Sequence, residues 1–308
     1  MGYKNIGLSI MMTGALGLSS CGEANSVGQH RETRMPVVLP KHLPKDIRME
    51  ETDVVDVYYY DKVDNTFQQS SGIKVSPNIV VTAGHEFSST HLRALGGGVL
   101  HFLCGDVRIF SPGDATTSAS YAVSGDVSFS KSNASIVDMA VLRVNGDTAF
   151  ASASDASVSG QDLKAGDEVF YVNYEPTMTG HIRNPDIAVV KSFQDTQPAI
   201  YGGVIVGEED GKYIAATNIK SYGYGVPESV SRPGASGGPV YTPNGEVAGI
   251  VEAILPDGIS KQQVATYYGV HIKNVDRNTR LQLEVIQPLT ESEIVSRAIK
   301  LRHEDACG

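Results

Sequence analysis

The sequence predicts an all-β protein closed by one C-terminal helix. Three observations carry this. Glycine (32) and tyrosine (14) are plentiful and tryptophan is absent. Short β-prone runs alternate with turn residues along most of the chain. Helical spacing of apolar residues stands out in one segment only, near the end. With 308 residues, 41% hydrophobic and 19% charged, the chain can bury the core of one large domain or two small ones.

Residues 1–20 read as a signal peptide. Lys4 is their only charge, and Ile6 to Leu18 form an apolar stretch too short to stay in a bilayer. Residues 21–50 have little hydrophobic pattern, several prolines and mixed charges, and read as a tether. Expected strands then follow at Val54–Tyr60, Gly72–Val75, Ile79–Thr82, Val99–Leu103, Val107–Phe110 and Met139–Val144. The polar stretch from Asn145 to Gly160 reads as a connector. A second set is expected at Glu168–Asn173, Ile187–Lys191, Ala199–Val206, Tyr213–Asn218, Pro239–Tyr241, Glu246–Ala253 and Tyr268–Ile272. Pro243-Asn244-Gly245 separates two apolar runs and signals a hairpin, because Asn-Gly tolerates positive φ at both turn positions. Thr290-Glu291-Ser292-Glu293 is a capping-box pattern, and Ile294, Val295, Ala298 and Ile299 follow it at helical spacing. No repeat is apparent. The architecture suggested is two β-domains of similar size, about 51–150 and 160–285, with a helix at about 290–303.

The leader ends in Leu18-Ser19-Ser20-Cys21. This resembles a bacterial lipobox, in which the cysteine is diacylated and becomes the new N-terminus. Two acyl chains would anchor the protein stably at the cell envelope after export, on the periplasmic or outer-surface side. An ordinary signal peptide that happens to contain a cysteine is the other reading. Export also permits a disulfide between the two remaining cysteines, Cys104 and Cys307. Two unrelated free thiols stand equally open.

Net charge is −10. Clustered Lys and Arg are missing, so no nucleic-acid partner is expected. The other histidines (His30, His42, His91, His101, His181, His271, His303) lack metal-ligand spacing, and there are no cysteine pairs or twelve-residue acidic loops. No metal or cofactor is expected, and the protein is read as a monomer.

Three segments carry chemistry: Ile79-Val-Val-Thr-Ala-Gly-His85, Ile136-Val-Asp138-Met-Ala-Val-Leu-Arg-Val144 and Arg232-Pro-Gly-Ala-Ser236-Gly-Gly-Pro-Val240. Gly234 to Gly238 formally matches G-x-S-x-G, but that elbow needs a helix directly after the serine and its acid and histidine downstream. Here Pro239 and a β-prone run follow instead. A serine attacking an acyl carbon needs backbone N–H groups aimed at the developing oxyanion, and a glycine two residues earlier frees the backbone to supply them. Gly234 and Ser236 are the expected donors. His85 ends an apolar strand, where an imidazole can face a cleft and take the serine proton. Asp138 interrupts an apolar stretch. A carboxylate buried there needs a partner, and a histidine N–H suits it.

Together, Val81-Thr-Ala-Gly-His85, Asp138-Met-Ala-Val-Leu142 and Gly234-Ala-Ser-Gly-Gly-Pro239 resemble the three signature blocks of the chymotrypsin/trypsin-like serine peptidases. The order and the spacings, 53 and 98 residues, are similar too. The resemblance covers about residues 50–303 and is nearer to a bacterial branch of that family. It implies two six-stranded antiparallel β-barrels with the site between them, His85 and Asp138 coming from the first and Ser236 from the second. It further implies a serine endopeptidase acting on proteins or peptides. A peptidase-like binding protein without activity, and a general esterase on the same fold, are the alternatives. Ala235 stands where digestive members carry an aspartate that pairs with a cleaved N-terminus, so no activation by N-terminal insertion is expected. In the family the pocket-bottom residue lies six before the serine. That is Val230 here, so a preference for Arg or Lys lacks its usual partner. Val230, Ser231 and Glu252 are the expected pocket residues. Glu252 is read either as attracting a basic side chain or as a solvated edge residue.

Overall fold

The computed structural model describes residues 35–40, 53–61, 66–85, 92–94, 101–110, 120–128, 137–144, 156–173, 199–217 and 235–303. Its strands are β1 (Met35–Val37), β2 (Val54–Asp61), β3 (Thr66–Ser76), β4 (Ile79–Thr82), β5 (Leu92–Ala94), β6 (His101–Phe110), β7 (Ser120–Ser128), β8 (Met139–Val144), β9 (Glu168–Asn173), β10 (Ala199–Glu209), β11 (Lys212–Thr217), β12 (Pro239–Tyr241), β13 (Val247–Ser260), β14 (Val270–Ile272) and β15 (Arg280–Pro288). Two helices, α1 (Lys261–Tyr267) and α2 (Glu291–His303), complete the described elements.

Strands β2-β3-β4-β8-β7-β6 form an antiparallel ring, because β6 pairs back onto β2 (Asp56 opposite Phe110), and β5 flanks β6. A second ring, β10-β11-β15-β13-β12-β9, is a closed six-stranded barrel. Closure leaves neither ring with a free edge. The all-β class, the two six-stranded antiparallel barrels and the C-terminal helix are thus present.

Several elements differ from the sequence reading. The two strands expected at 99–103 and 107–110 are one strand, β6, running through Cys104-Gly105-Asp106. Strands β7 and β15 and helix α1 are additions to the expected set. Within the expected tether, β1 pairs in parallel with β14, and Leu39 exchanges backbone hydrogen bonds with the Asn274 side chain. This part of 21–50 is packed on the second barrel because Val37 and Leu39 are apolar and buried there. The end of the expected connector is also tied down, by Ser159 N–H to Val247 O and Val247 N–H to Ser157 O. The strand expected at 187–191 lies outside the described residues, as do Cys21 and Cys307.

The packing that positions the site is one cluster shared by both barrels. Val54, Ile73, Val81, Met139 and Val141 of the first meet Phe170, Val172, Tyr241, Ile250 and Leu289 of the second, with Ile294 of α2 against them. The Thr290 hydroxyl accepts the Glu293 N–H and starts α2, as the capping pattern predicts. Such a dry seam holds the strand ends of the two barrels in a fixed relation.

Candidate active site

Each expected chemical residue sits just beyond a strand end. β4 carries Ile79 to Thr82, all buried, and the chain reaches His85 three residues later. Asp138 immediately precedes β8, which is paired with β4 (Thr82 opposite Ala140). Two neighbouring strands therefore deliver the imidazole and the carboxylate side by side. Asp138 is 6% exposed. Its Oδ2 lies 2.6 Å from His85 Nδ1 and its Oδ1 accepts the His85 backbone N–H at 2.7 Å. Two contacts fix both the ring's orientation and the chain that carries it. The Asp138 backbone N–H donates to Gln287 Oε1 of β15 at 3.1 Å.

Ser236 enters from the other barrel, in a turn just before β12. Gly238 N–H donates to Ala235 O at 3.0 Å, and Gly237 has φ +80°. A positive φ at the third residue of a turn is the position that favours glycine. The turn is clamped to both barrels: Ser71 N–H of β3 donates to Ser236 O at 2.9 Å, and Gly237 N–H to Val251 O at 2.8 Å. A side chain at Gly237 would overlap Thr82 Oγ1 and the Ser71 carbonyl and lie 2.7 Å from Ala83 N. So the serine turn lies flush against the end of β4, two residues before His85. The serine loop and the His85–Asp138 pair therefore meet at one place on the barrel seam. Gly234, Val230 and Ser231 lie outside the described residues, so of the two expected oxyanion donors only Ser236 is described.

Glu252 corrects one of the two readings made of it, the solvated edge. It sits in a β-bulge, unopposed between the Val251–Ile286 and Ala253–Val285 pairs. The bulge takes its side chain out of strand parity, and Lys212 Nζ contacts Oε1 at 2.5 Å with both side chains largely buried. It is not a solvated edge: Lys212 engages Oε1, and Oε2 is buried without a hydrogen-bond partner. Burial pushes its carboxyl upward, and the negative charge of Asp138 adds to that, while Lys212 opposes it. That influence places the pair near Asp138.

A polar group that the sequence reading missed lies deeper in the second barrel. Glu284 of β15 is fully buried, and burial pushes its carboxyl up to about 8. Thr217 Oγ1 donates to its Oε1 at a long 3.5 Å, and its Oε2 has no partner. Nearby, Asn173 Nδ2 donates to Tyr201 Oη at 2.5 Å, and the Tyr201 ring stacks on Tyr171 at 4.9 Å. Alternation Leu281-Gln282-Leu283-Glu284-Val285 was the available signal. It suggests a strand with one wet face, whereas this polar face points into a barrel.

No curated protein matches in sequence. Among solved structures, the chain is similar to the Rv3671c protease from M. tuberculosis in its active form, at 17% identity and TM-score 0.45 over 91% of this chain and 94% of that one. It is similar to the scabies mite inactivated protease paralogue S-I1 at 14% identity and TM-score 0.48, over 84% and 99%. The serine endoprotease from Yersinia pestis is similar at 14% identity and TM-score 0.38, over 83% and 64%. Residues 54–275 match the family model described as Trypsin, and with most of its length so matched the chain belongs to the trypsin family.

Proposed function

We propose that the protein is a serine endopeptidase that hydrolyses peptide bonds through an acyl-enzyme, with Ser236 as nucleophile, His85 as general base and Asp138 as the acid that orients it. The observation that carries this is the double contact of Asp138 with His85, ring and backbone together, beside a serine turn bonded to the same barrel. A carboxylate at Nδ1 fixes the tautomer in which Nε2 is free to take a proton. His85 accepts the Ser236 hydroxyl proton as Oγ attacks the peptide carbonyl, and returns it to the leaving amine. The N–H groups of Gly234 and Ser236 receive the oxyanion. Water then attacks the acyl-enzyme by the same route. Export, with the chain anchored in the envelope membrane through lipidated Cys21, is proposed on the leader sequence alone.

The test is labelling of the full chain with a fluorophosphonate, read by intact mass, for wild type and Ser236→Ala. One adduct on wild type and none on the variant is the expected result. A folded wild type that takes no adduct would overturn the proposal and favour an inactive, peptidase-like binding protein.

A further inference from the structure

Resting on the peptidase reading, we infer that Glu252, held by Lys212, is a positioning residue for the reaction: a second carboxylate behind the His85–Asp138 pair, it stabilises the imidazolium formed when His85 takes the serine proton.

Its place follows from the ladder. Val251, the residue before Glu252, carries the serine turn: Gly237 N–H donates to Val251 O at 2.8 Å, and Val251 N–H to Gly238 O at 2.9 Å. Ile250 stands opposite Gln287, whose Oε1 accepts the Asp138 N–H. Glu252 is therefore the next residue along a strand bonded to the turn of the nucleophile, and that strand neighbours the one holding Asp138. Lys212 reaches the same place from β11, since Tyr213 is opposite Ile286 and Ile286 opposite Val251. The bulge takes Glu252 out of the alternation of β13, as bulges beside reacting sites re-aim side chains.

The pair is poorly built for stability alone. Lys212 engages Oε1, while Oε2 is buried with no hydrogen-bond partner. A buried ion pair offsets its lost hydration only when the remaining lone pairs are satisfied. What the arrangement does supply is a fixed negative charge where water is excluded.

The charged groups that act on Glu252 are Lys212 of β11, Asp138 ahead of β8 and His85 after β4. Its neighbours on β13 and β15, Val251, Ala253, Val285 and Ile286, are apolar. Burial and then Asp138 push its carboxyl upward, and Lys212 and then His85 oppose them. Lys212 thus keeps the carboxylate ionised beside a second one. The influence of His85 is mutual: a carboxylate favoured by a cationic His85 favours the imidazolium in turn. No proton is exchanged with Glu252. The Ser236 proton still passes to Nε2, and Glu252 lowers the cost of the charge that results.

Two measurements test this. The acid limb of kcat/KM against pH reports the His85 proton. Glu252→Gln should move that limb down by about one pH unit and lower kcat by about tenfold, because the imidazolium loses a carboxylate and faces the Lys212 charge alone. Lys212→Met/Glu252→Leu removes both charges and keeps the fold, and its limb should also lie below wild type, by less. A purely structural pair would change stability and leave the limb in place, so an unmoved or raised limb in the folded double variant overturns the inference. Separately, the His85 imidazole is titrated by NMR in Ser236→Ala and in Ser236→Ala/Lys212→Met/Glu252→Leu. A lower His85 pKa in the second supports the charge coupling even where no peptide is cleaved, an outcome that would sink the peptidase reading alone. The same His85 pKa in both overturns the inference, whatever the peptidase kinetics.

Discussion

Gln287 of the second barrel accepts the backbone N–H of Asp138 in the first, 149 residues away, through Oε1 at 3.1 Å. Its Nε2 donates to the Pro288 carbonyl at 3.2 Å, so both ends of the amide are used. Gln287 and Asp138 are both buried. The second barrel thus supplies more than the serine: it also holds the backbone that carries the carboxylate bonded to His85.

Gln287→Ala should therefore hurt twice. The Asp138 N–H would be left buried without a partner, at a cost of about 1–3 kcal/mol. Denaturant unfolding reads that loss. Peptidase kinetics should show kcat falling with KM little changed, since the acid is misaligned while substrate contacts remain. A variant with reduced stability and unchanged kcat would make Gln287 a packing residue only.

Asp138→Asn isolates the second use of that carboxylate. An asparagine has one acceptor oxygen, and Asp138 uses two, one for the His85 N–H and one at Nδ1. With the amide NH2 facing Nδ1, the ring proton moves to Nε2, and the base can no longer accept from Ser236. A fall in kcat of about 10³–10⁴-fold is expected, with near-normal KM. Steady-state kinetics against a peptide substrate decide it, and a loss below tenfold would contradict the assigned role.

Much of this site was legible in the sequence because its residues lie next to strong local signals. His85 follows the uninterrupted apolar run Ile79–Val81, and Asp138 stands against Met139–Leu142, which read as buried strands. Ser236 is framed by glycines whose necessity is steric. What was not legible depends on long-range closure. Strand β7 is Ser-Tyr-Ala-Val-Ser-Gly-Asp-Val-Ser, a weak pattern that the ladder with β6 and β8 makes into a strand. Strand β15 alternates cleanly, but only the closed barrel shows that Gln282 and Glu284 face inward. Glu252 escaped because a bulge, not strand parity, sets its direction.

The Lys212–Glu252 pair gives a prediction about stability. Each ion was removed from water, and the pair is tolerated because each compensates the other. Lys212→Met should cost about 3–5 kcal/mol by leaving Glu252 buried and uncompensated near Asp138. The double variant Lys212→Met/Glu252→Leu should recover most of that. Thermal or denaturant unfolding of the three proteins checks this, and additive losses in the double variant would show that the two residues act independently.

Gly237→Ala tests how tightly the serine turn is held. The φ of +80° strains any other residue, and the added methyl overlaps Thr82 Oγ1 and the Ser71 carbonyl, which belong to the strands of the first barrel. A loss of roughly 3 kcal/mol or more is expected. Fluorophosphonate labelling should fall with it, because the Ser71–Ser236 hydrogen bond cannot survive the shift. Full labelling with wild-type stability would show that the turn has room the geometry denies.

Glu284 makes stability depend on pH with a defined sign. Its folded-state carboxyl titrates at about 8, against an ordinary value of 4.5, because burial disfavours the charge and the Thr217 hydrogen bond only partly offsets it. Facing it are Thr217 and Tyr171, and burial keeps the Tyr171 hydroxyl neutral throughout this range. Below about pH 4.5 both folded and unfolded chains hold the proton, and the stabilisation is fully present. Between 4.5 and 8 the unfolded chain has released it and the folded chain has not, so stability falls as pH rises, by at most about 1.4 kcal/mol per pH unit. Above about 8 the loss is complete. Glu284→Gln keeps the shape and removes the titration. Unfolding free energies at about pH 5 and about pH 8 should therefore diverge in wild type and converge in the variant, which should be the more stable protein at the higher pH. Parallel pH profiles for the two proteins would mean that Glu284 is not protonated inside the barrel, and that a charged partner, rather than a retained proton, makes its burial tolerable.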